Sequence, residues 1–411
     1  MIVFVINCGS SSVKYSLFSS EENGNLNMLA RGLVSDLETE NAEIRYETES
    51  CVITIKLDKP DYREALEAAI ATLTHPEYGK LSDISEIDAV GHRTVHGGDK
   101  FIGSVLIDEV VIAKMEQCID LAPIHNPANL EGICQAMFLL PATPQVAVFD
   151  TAFHQSIPIR ARVYALPYEY YERHGIRKYG FHGTSCQYAS QQVCQLLKCS
   201  LEQSRIVICH LGNGVSVTAV DCGRSVDTSL GYTSVGGVMM GTRCGDLDPG
   251  ALLAIMKEQD LNVKETDLIL HRQSGLLGVS GVSNDMQTIC KLAEEGHQRC
   301  QLAIEMFTYQ LKKYIGAYAA VMSGIDILVF TGGIGENSSL IRSMAAANLG
   351  FLGIVIDPER NQEKMSRDTV ISVDGAAATV VVIKANEEKM IAQEALTIVK
   401  GLKTEQAVLL K

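Results

Sequence analysis

Two stretches of this chain follow one grammar: an apolar β-favouring run, a polar turn containing glycine, and a second β-favouring run. In the first, residues 2–6 lead through Asn7-Cys-Gly-Ser-Ser-Ser12 into residues 13–18. In the second, residues 206–209 lead through His210-Leu-Gly-Asn-Gly214 into residues 215–220. The turns begin about 203 residues apart in a chain of 411, close to half its length. A hairpin pattern returning at that distance predicts a duplicated domain.

Helical periodicity runs around the hairpins, over 62–75, 109–118, 128–139, 185–197, 251–257, 286–322 and 387–400. Strands at 87–90, 145–149, 327–330 and 378–383 precede several of these helices. Alternation of this kind predicts an α/β protein, with the boundary between halves near residue 155. The last helix cannot be assigned to either half from its own pattern.

A net charge of −14 argues against a surface for nucleic acid, which needs a basic stripe. Twelve cysteines without a CxxC pair, several inside apolar runs, read as free thiols of a cytoplasmic protein. The apolar start stops at Asn7, too short for a signal peptide, and no run has the length of a membrane span.

Three glycine-rich turns follow strands: the two hairpin turns, and Thr331-Gly-Gly-Ile-Gly-Glu-Asn-Ser338. Glycine lets backbone amides approach a phosphate, and hydroxyls with Lys14 add donors. The third turn is expected to enter a helix capped by Asn337 or Ser338. One such turn is most often only a turn; three favour a nucleotide. The P-loop pattern is absent, and Gly333-Ile-Gly335 lacks the third glycine of a dinucleotide fold. An ATPase with two similar domains and a cleft between them fits better.

Arg93, in Gly91-His-Arg-Thr-Val-His-Gly-Gly98, and Arg243, in Met239-Met-Gly-Thr-Arg-Cys-Gly-Asp-Leu-Asp248, stand among glycines. A guanidinium there can grip a carboxylate or phosphate in bidentate fashion. His92 and His96 have a spacing that suits zinc on a helix, but their context is strand then loop, so metal is disfavoured. Asp150 closes a strand, where α/β sheets place ligands. His182 lies in Tyr179-Gly-Phe-His-Gly-Thr-Ser185.

Together with Ala122-Pro-Ile-His-Asn-Pro127 and Phe149-Asp-Thr-Ala-Phe-His154, these motifs resemble the acetate/propionate kinase family, in order and over nearly the whole chain. The resemblance implies two ribonuclease-H-like domains of the sugar-kinase/actin/heat-shock ATPase type, a cytoplasmic homodimer, and Mg²⁺ (or Mn²⁺) with ATP/ADP. It implies reversible phosphoryl transfer from ATP to acetate, giving acetyl phosphate, with no membrane or nucleic-acid partner. It also assigns the last helix, about 388–411, to the first domain (1–154) and leaves 155–387 as the nucleotide-binding second domain.

Carried over by motif, Asn7 and Glu387 would position the metal. Arg93 and Arg243 would bind the carboxylate and the phosphoryl group, Asp150 would orient acetate or the metal, and His182 would donate to phosphoryl oxygens. Val95, Leu121 and Ser234 would line the acetate pocket. Ser12, Lys14, His210, Gly212, Asn213 and Gly214 would serve the nucleotide phosphates. Asp285, Gln287, Gly332, Gly333, Ile334, Gly335 and Asn337 would complete the nucleotide site. Two departures stand out: Thr233-Ser-Val-Gly-Gly237 replaces the family's Thr-Pro-Leu-Glu-Gly, and Gln287 stands where the family has Arg. Other readings are a propionate or other short-chain acyl kinase, and a non-metabolic ATPase of the same superfamily. The retained arginine pair argues against the latter, which has no small carboxylate to clamp.

Overall fold

The structure, a computed structural model, describes residues 1–21 and 24–409, with side chains through residue 402. It divides into two compact units, Met1–Phe153 with Asn386–Lys411, and His154–Ala385. The expected boundaries, 154/155 and about 387/388, differ from these by one or two residues.

The first unit holds an eight-stranded sheet of β1 (Ile2–Gly9), β2 (Ser12–Ser20), β3 (Leu26–Ser35), β4 (Glu43–Glu47), β5 (Val52–Lys56), β6 (Ile87–Thr94), β7 (Val105–Leu106) and β8 (Gln145–Phe149). Their order is β5-β4-β3-β2-β1-β6-β8-β7, with β1, β6 and β8 parallel. The β1 run is apolar from Ile2 to Ile6 because both faces of the sheet are covered there. Val3 and Val5 pack with Ile391, Ala392, Ala395 and Leu396 of the helix Glu387–Leu409. Phe4, Ile6 and Cys8 point the other way, toward Leu66 and Ala69 of helix Tyr62–Leu73 and Ala136 of helix Asn126–Leu139. The C-terminal helix comes this close because β6 carries Gly91; a Cβ there would stand 2.8 Å from Ile391 Cγ2.

The second unit holds β9 (Arg205–Leu211), β10 (Val215–Asp221), β11 (Arg224–Thr228), β12 (Ile327–Thr331), β13 (Thr369–Val370) and β14 (Thr379–Val382), in the order β11-β10-β9-β12-β14-β13. Helix Gly183–Leu197 packs on β9 and β12, and Gln298–Val321 packs on β9 and β10.

Five strands in each unit repeat one plan. The series β3-β2-β1-β6-β8 and β11-β10-β9-β12-β14 share their order and their sequence of two antiparallel and two parallel pairings. This is the duplicated ribonuclease-H-like arrangement that the resemblance implied.

Several local expectations need correction. The first hairpin turn is only Ser10-Ser11, because β1 runs on through Asn7 to Gly9, which pairs with Ser12. The second is three residues, Gly212-Asn213-Gly214, between Leu211 and Val215. The helix expected over 286–322 is two helices, Met286–Glu294 and Gln298–Val321. Gly296, at φ +95°, breaks them, and His297 caps the second by accepting from Cys300 N–H. The run after β12 is itself a helix, Gly332–Asn337. Gly332, at φ +77°, lets the strand turn directly into it, and Ser338 caps the next helix, Ser339–Ala346. Asn337 is therefore the last residue of a helix and not a cap.

Candidate active site

In the first unit Asn7, Arg93 and Asp150 lie at the carboxyl ends of the adjacent parallel strands β1, β6 and β8, where α/β sheets present ligand-binding groups. Ile6 pairs with His92, and the Asp150 N–H continues the ladder onto Thr94 O at 2.9 Å. Arg93 Nη2 donates to Asp150 Oδ2 at 2.6 Å, and its Nε lies 3.6 Å from Glu387 Oε2. Burial opposes the Arg93 charge, yet Asp150 and Glu387 hold it more firmly protonated than usual. Glu387 is pushed up to about 7, by burial first, with Asp150 and Glu388 adding and Arg93 and Lys14 opposing. Asp150 is 2% exposed and the side chains of Arg93 and Glu387 about a quarter or less. The cluster is a guanidinium braced by two carboxylates, one of which burial disposes toward its neutral form.

The loop after β6 is held by two asparagines of helix Asn126–Leu139, which the sequence reading did not single out. Asn129 accepts from Val95 N–H at 3.0 Å and donates to Cys8 O at 2.7 Å, joining the ends of β6 and β1. Asn126 accepts from His96 N–H and donates to His96 O and Cys118 O. Their only signal was polarity at positions the helix buries, within Asn126-Pro-Ala-Asn129. Val95 is buried beside this clamp, and Leu121 Cδ1 lies 3.3 Å from where a Cβ on Gly98 would stand. Ser12 and Lys14 also belong to this unit. Lys14 lines a groove of about 180 Å³ with Arg31, Arg45, Glu47 and Glu388.

His92 is buried, and its Nε2 lies 2.7 Å from Gln145 Oε1. The Gln145 amide nitrogen donates to Thr143 O, so Oε1 faces the imidazole and Nε2 carries the proton. Burial pushes His92 down from 6.5 to about 4, the Gln145 bond opposing. Between those values the unfolded chain takes up a proton that the folded chain refuses. Stability is therefore full above 6.5 and falls as pH drops toward 4, by at most about 1.4 kcal/mol per pH unit from this group. The thermal midpoint is expected to fall less steeply between pH 6.5 and 4.5 in His92→Gln than in the parent. Equal slopes would assign the acid sensitivity elsewhere.

In the second unit His182 stands before helix Gly183–Leu197 with φ +58°, a left-handed conformation that a non-glycine residue holds only at a cost of roughly 1–2 kcal/mol. Its Nδ1 lies 3.0 Å from Ser216 Oγ on β10, and its ring centroid 4.3 Å from that of His210. His210 Nδ1 in turn lies 2.8 Å from Ser185 Oγ. A Cβ at position 214 would stand 3.1 Å from His182 Nε2, which accounts for Gly214. The turn Gly212-Asn213-Gly214 abuts the Arg243 loop, where Gly241 N–H donates to Asn213 O. Arg243 Nη1 donates to Ser234 O at 3.1 Å and approaches Met240 Sδ at 3.5 Å. Both partners are uncharged, so among the described residues the guanidinium has no counter-ion. Burial, then Arg272, pulls its pKa down.

Asp285 caps helix Met286–Glu294, accepting from Thr288 N–H and Oγ1–H at 2.8 Å each, bonds that hold its carboxyl below the usual range. Gln287 is exposed on the first turn of that helix. Gly332, Gly333, Ile334, Gly335 and Asn337 form the short helix after β12, and Asn337 Nδ2 donates back to Gly333 O. The structure thus gathers Asn7, Arg93, Val95, Asp150 and Glu387 in one unit, and His182, His210, Asn213, Gly214, Ser234 and Arg243 in the other.

The chain matches the acetokinase family over residues 2–393. An acetate kinase from Halothermothrix orenii is 47% identical over 402 residues, covering 98% of this chain and 100% of that protein. The crystal structure of Porphyromonas gingivalis acetate kinase, 44% identical, superposes with a TM-score of 0.92, covering 97% of this chain and 99% of that one. A propionate kinase from Francisella tularensis superposes with a TM-score of 0.88 at 40% identity, with the same coverage. A family match over nearly the whole chain, on a duplicated fold with both arginine loops in place, assigns the chain: it belongs to the acetokinase family.

Proposed function

We propose that this protein is an acetate kinase, a phosphotransferase with a carboxyl group as acceptor, moving the γ-phosphoryl group of ATP to acetate to give acetyl phosphate and ADP, reversibly. The observation that carries the reading is the pair of arginines in contrasting settings. Arg93 is braced by Asp150 and Glu387, while Arg243 keeps its charge open to an incoming anion. Phosphoryl transfer needs in-line placement and neutralised equatorial oxygens more than covalent help, and two guanidinium groups meet that need.

Arg93 holds the acetate carboxylate, with Asp150 fixing the guanidinium. One carboxylate oxygen attacks the γ-phosphorus as the bond to the ADP oxygen breaks. His182 donates an N–H to a phosphoryl oxygen, and Arg243 balances the charge on the group in flight. Asn213, Gly214 and Gly333 receive the ADP phosphates, with His210, Gly212, Ser12 and Lys14 as further donors. Asp285, Gln287 and the residues from Gly332 to Asn337 border the nucleoside. Asn7 and Glu387 offer the hard oxygen donors that suit Mg²⁺ or Mn²⁺, and a cation beside Glu387 favours the ionised form that burial disfavours. When bound, the metal neutralises phosphate charge.

Twelve free thiols support a cytoplasmic location. No helix among the described residues is long and apolar enough to cross a membrane. A homodimer accounts for the exposed apolar residues Leu253, Ile255, Val263 and Leu268, on and after helix Pro249–Gln259.

Purified protein with ATP, acetate, Mg²⁺ and hydroxylamine is expected to form acetohydroxamate. No product above a protein-free blank, from folded protein, would refute the reading. Val95 closes the methyl end of the pocket with a stiff β-branched side chain. One methylene is worth only about 1–3 kcal/mol, so kcat/KM should favour acetate over propionate without excluding it. Val95→Ala should narrow or reverse that ratio. Preference for propionate in the parent would favour the second reading, a propionate kinase with Ser234 opening the pocket.

A further inference from the structure

The loop that carries Ser234 and Arg243 is closed on itself and hung from a long helix by residues with no part in the chemistry above. Asp246 closes it: its N–H donates to Gly237 O at 2.8 Å, and its Oδ1 accepts from Gly237 N–H at 2.7 Å. The second carboxylate oxygen accepts from the Tyr314 hydroxyl. One turn earlier on helix Gln298–Val321, Gln310 Oε1 accepts from Met239 N–H at 2.7 Å. Within the enclosed segment, Met240 N–H donates to Arg243 O at 3.0 Å. The Arg243 guanidinium is aimed by two atoms of the same loop, Ser234 O and Met240 Sδ. With no counter-ion among the described residues to orient it, its placement depends on the shape of the loop that the helix holds.

We propose that Tyr314, acting through Asp246, is a positioning residue for Arg243, fixing the loop so that the guanidinium stands where the transferring phosphoryl group needs it. Residues 310 and 314 are one turn apart and share a helix face. The helix therefore grips the loop at two points, Met239 and Asp246, on either side of Arg243. Removing one grip lets the loop relax while the fold stays intact. A displacement of order 1 Å at a transition-state contact costs on the order of a hundredfold in rate.

The inference rests on the role proposed for Arg243, and three variants test it in the hydroxamate assay. Tyr314→Phe keeps the ring and loses only the hydroxyl; kcat should fall about tenfold, with the KM for ATP within about twofold of the parent. Asp246→Ala loses both side-chain bonds and should fall further, about fiftyfold. Asp246→Asn retains an acceptor for Gly237 N–H and offers an amide donor to the phenol oxygen, so kcat should stay within about threefold. Rescue by asparagine with a kcat-specific loss is what a purely structural role would not produce. Tyr314→Phe with kcat within about twofold of an active parent would overturn the inference, as would losses that follow thermal midpoint alone. An inactive parent would instead strike the acetate kinase reading itself.

Discussion

Arg243→Ala and Arg93→Ala are each expected to lower kcat by about two to four orders of magnitude, the usual loss for a charge contact made in the transition state. Their effects on stability should differ. Among the described residues the Arg243 guanidinium bonds only a carbonyl and a thioether, so its removal strands no charge, and the thermal midpoint should stay near that of the parent. Arg93 neutralises Asp150, 2% exposed, and approaches Glu387, which burial already disposes toward protonation. Removing Arg93 takes the neutralising guanidinium away from a buried carboxylate, a destabilising change. Its midpoint should therefore fall below that of Arg243→Ala, most at alkaline pH where Glu387 is ionised. Steady-state kinetics with melts at two pH values check both points. A folded Arg93→Ala, Arg243→Ala double variant with near-parental activity would remove these arginines from the mechanism.

Arg342→Ala should give the largest loss of stability among single changes in the second unit. Arg342 is 1% exposed. Its Nε donates to Asn361 Oδ1 at 2.7 Å, Nη1 to Gly335 O and Glu336 O at 2.9 Å each, and Nη2 to Asn361 O at 2.6 Å. Burial pulls it down to about 10, so it is still charged at neutral pH. Alanine strands three main-chain carbonyls and the Asn361 side-chain oxygen and leaves a cavity, together about 3–5 kcal/mol. At about 2–4 °C per kcal/mol for a unit of this size, the midpoint should drop by roughly 6–20 °C. Lysine cannot reproduce the planar fork and should rescue little. A midpoint within about 2 °C of the parent would show that water or rearrangement satisfies those carbonyls. Since Gly335 and Glu336 belong to the short helix after β12, the same variant should loosen ADP binding if that helix borders the nucleotide as proposed.

The hairpins, the repeat and both arginine loops were legible because each depends on local pattern: alternation, a glycine in a turn, a cation among uncharged neighbours. Element ends were less so. Asn7-Cys-Gly looked like a turn, but pairing with Ser12 to Lys14 drew those residues into the ladder. Gly296 fell inside the helix expected over 286–322, and its left-handed backbone breaks that helix. The edge strand β5 and its neighbour β4 escaped notice because Val52–Lys56 and Glu43–Glu47 are only five residues each, and three of the five in β4 are charged. At the site, the residue types were legible and their partnerships were not. That Arg93 grips Asp150 across 57 residues, or that Tyr314 reaches Asp246 across 68, is set by tertiary packing and leaves no periodic trace.

Helix Glu387–Leu409 belongs to the first unit yet follows the whole second unit in sequence. During synthesis, the face of the first sheet formed by Val3, Val5, Ala89, Val146 and Val148 must wait for Ile391, Ala392 and Ala395 until the ribosome has translated the whole second unit. At about 5–20 residues per second that interval is of order ten seconds or more, with an apolar surface bare throughout. The arrival of Glu387 beside Arg93 waits on the same step, so a product that stops short of residue 387 lacks both the cover and this ion pair.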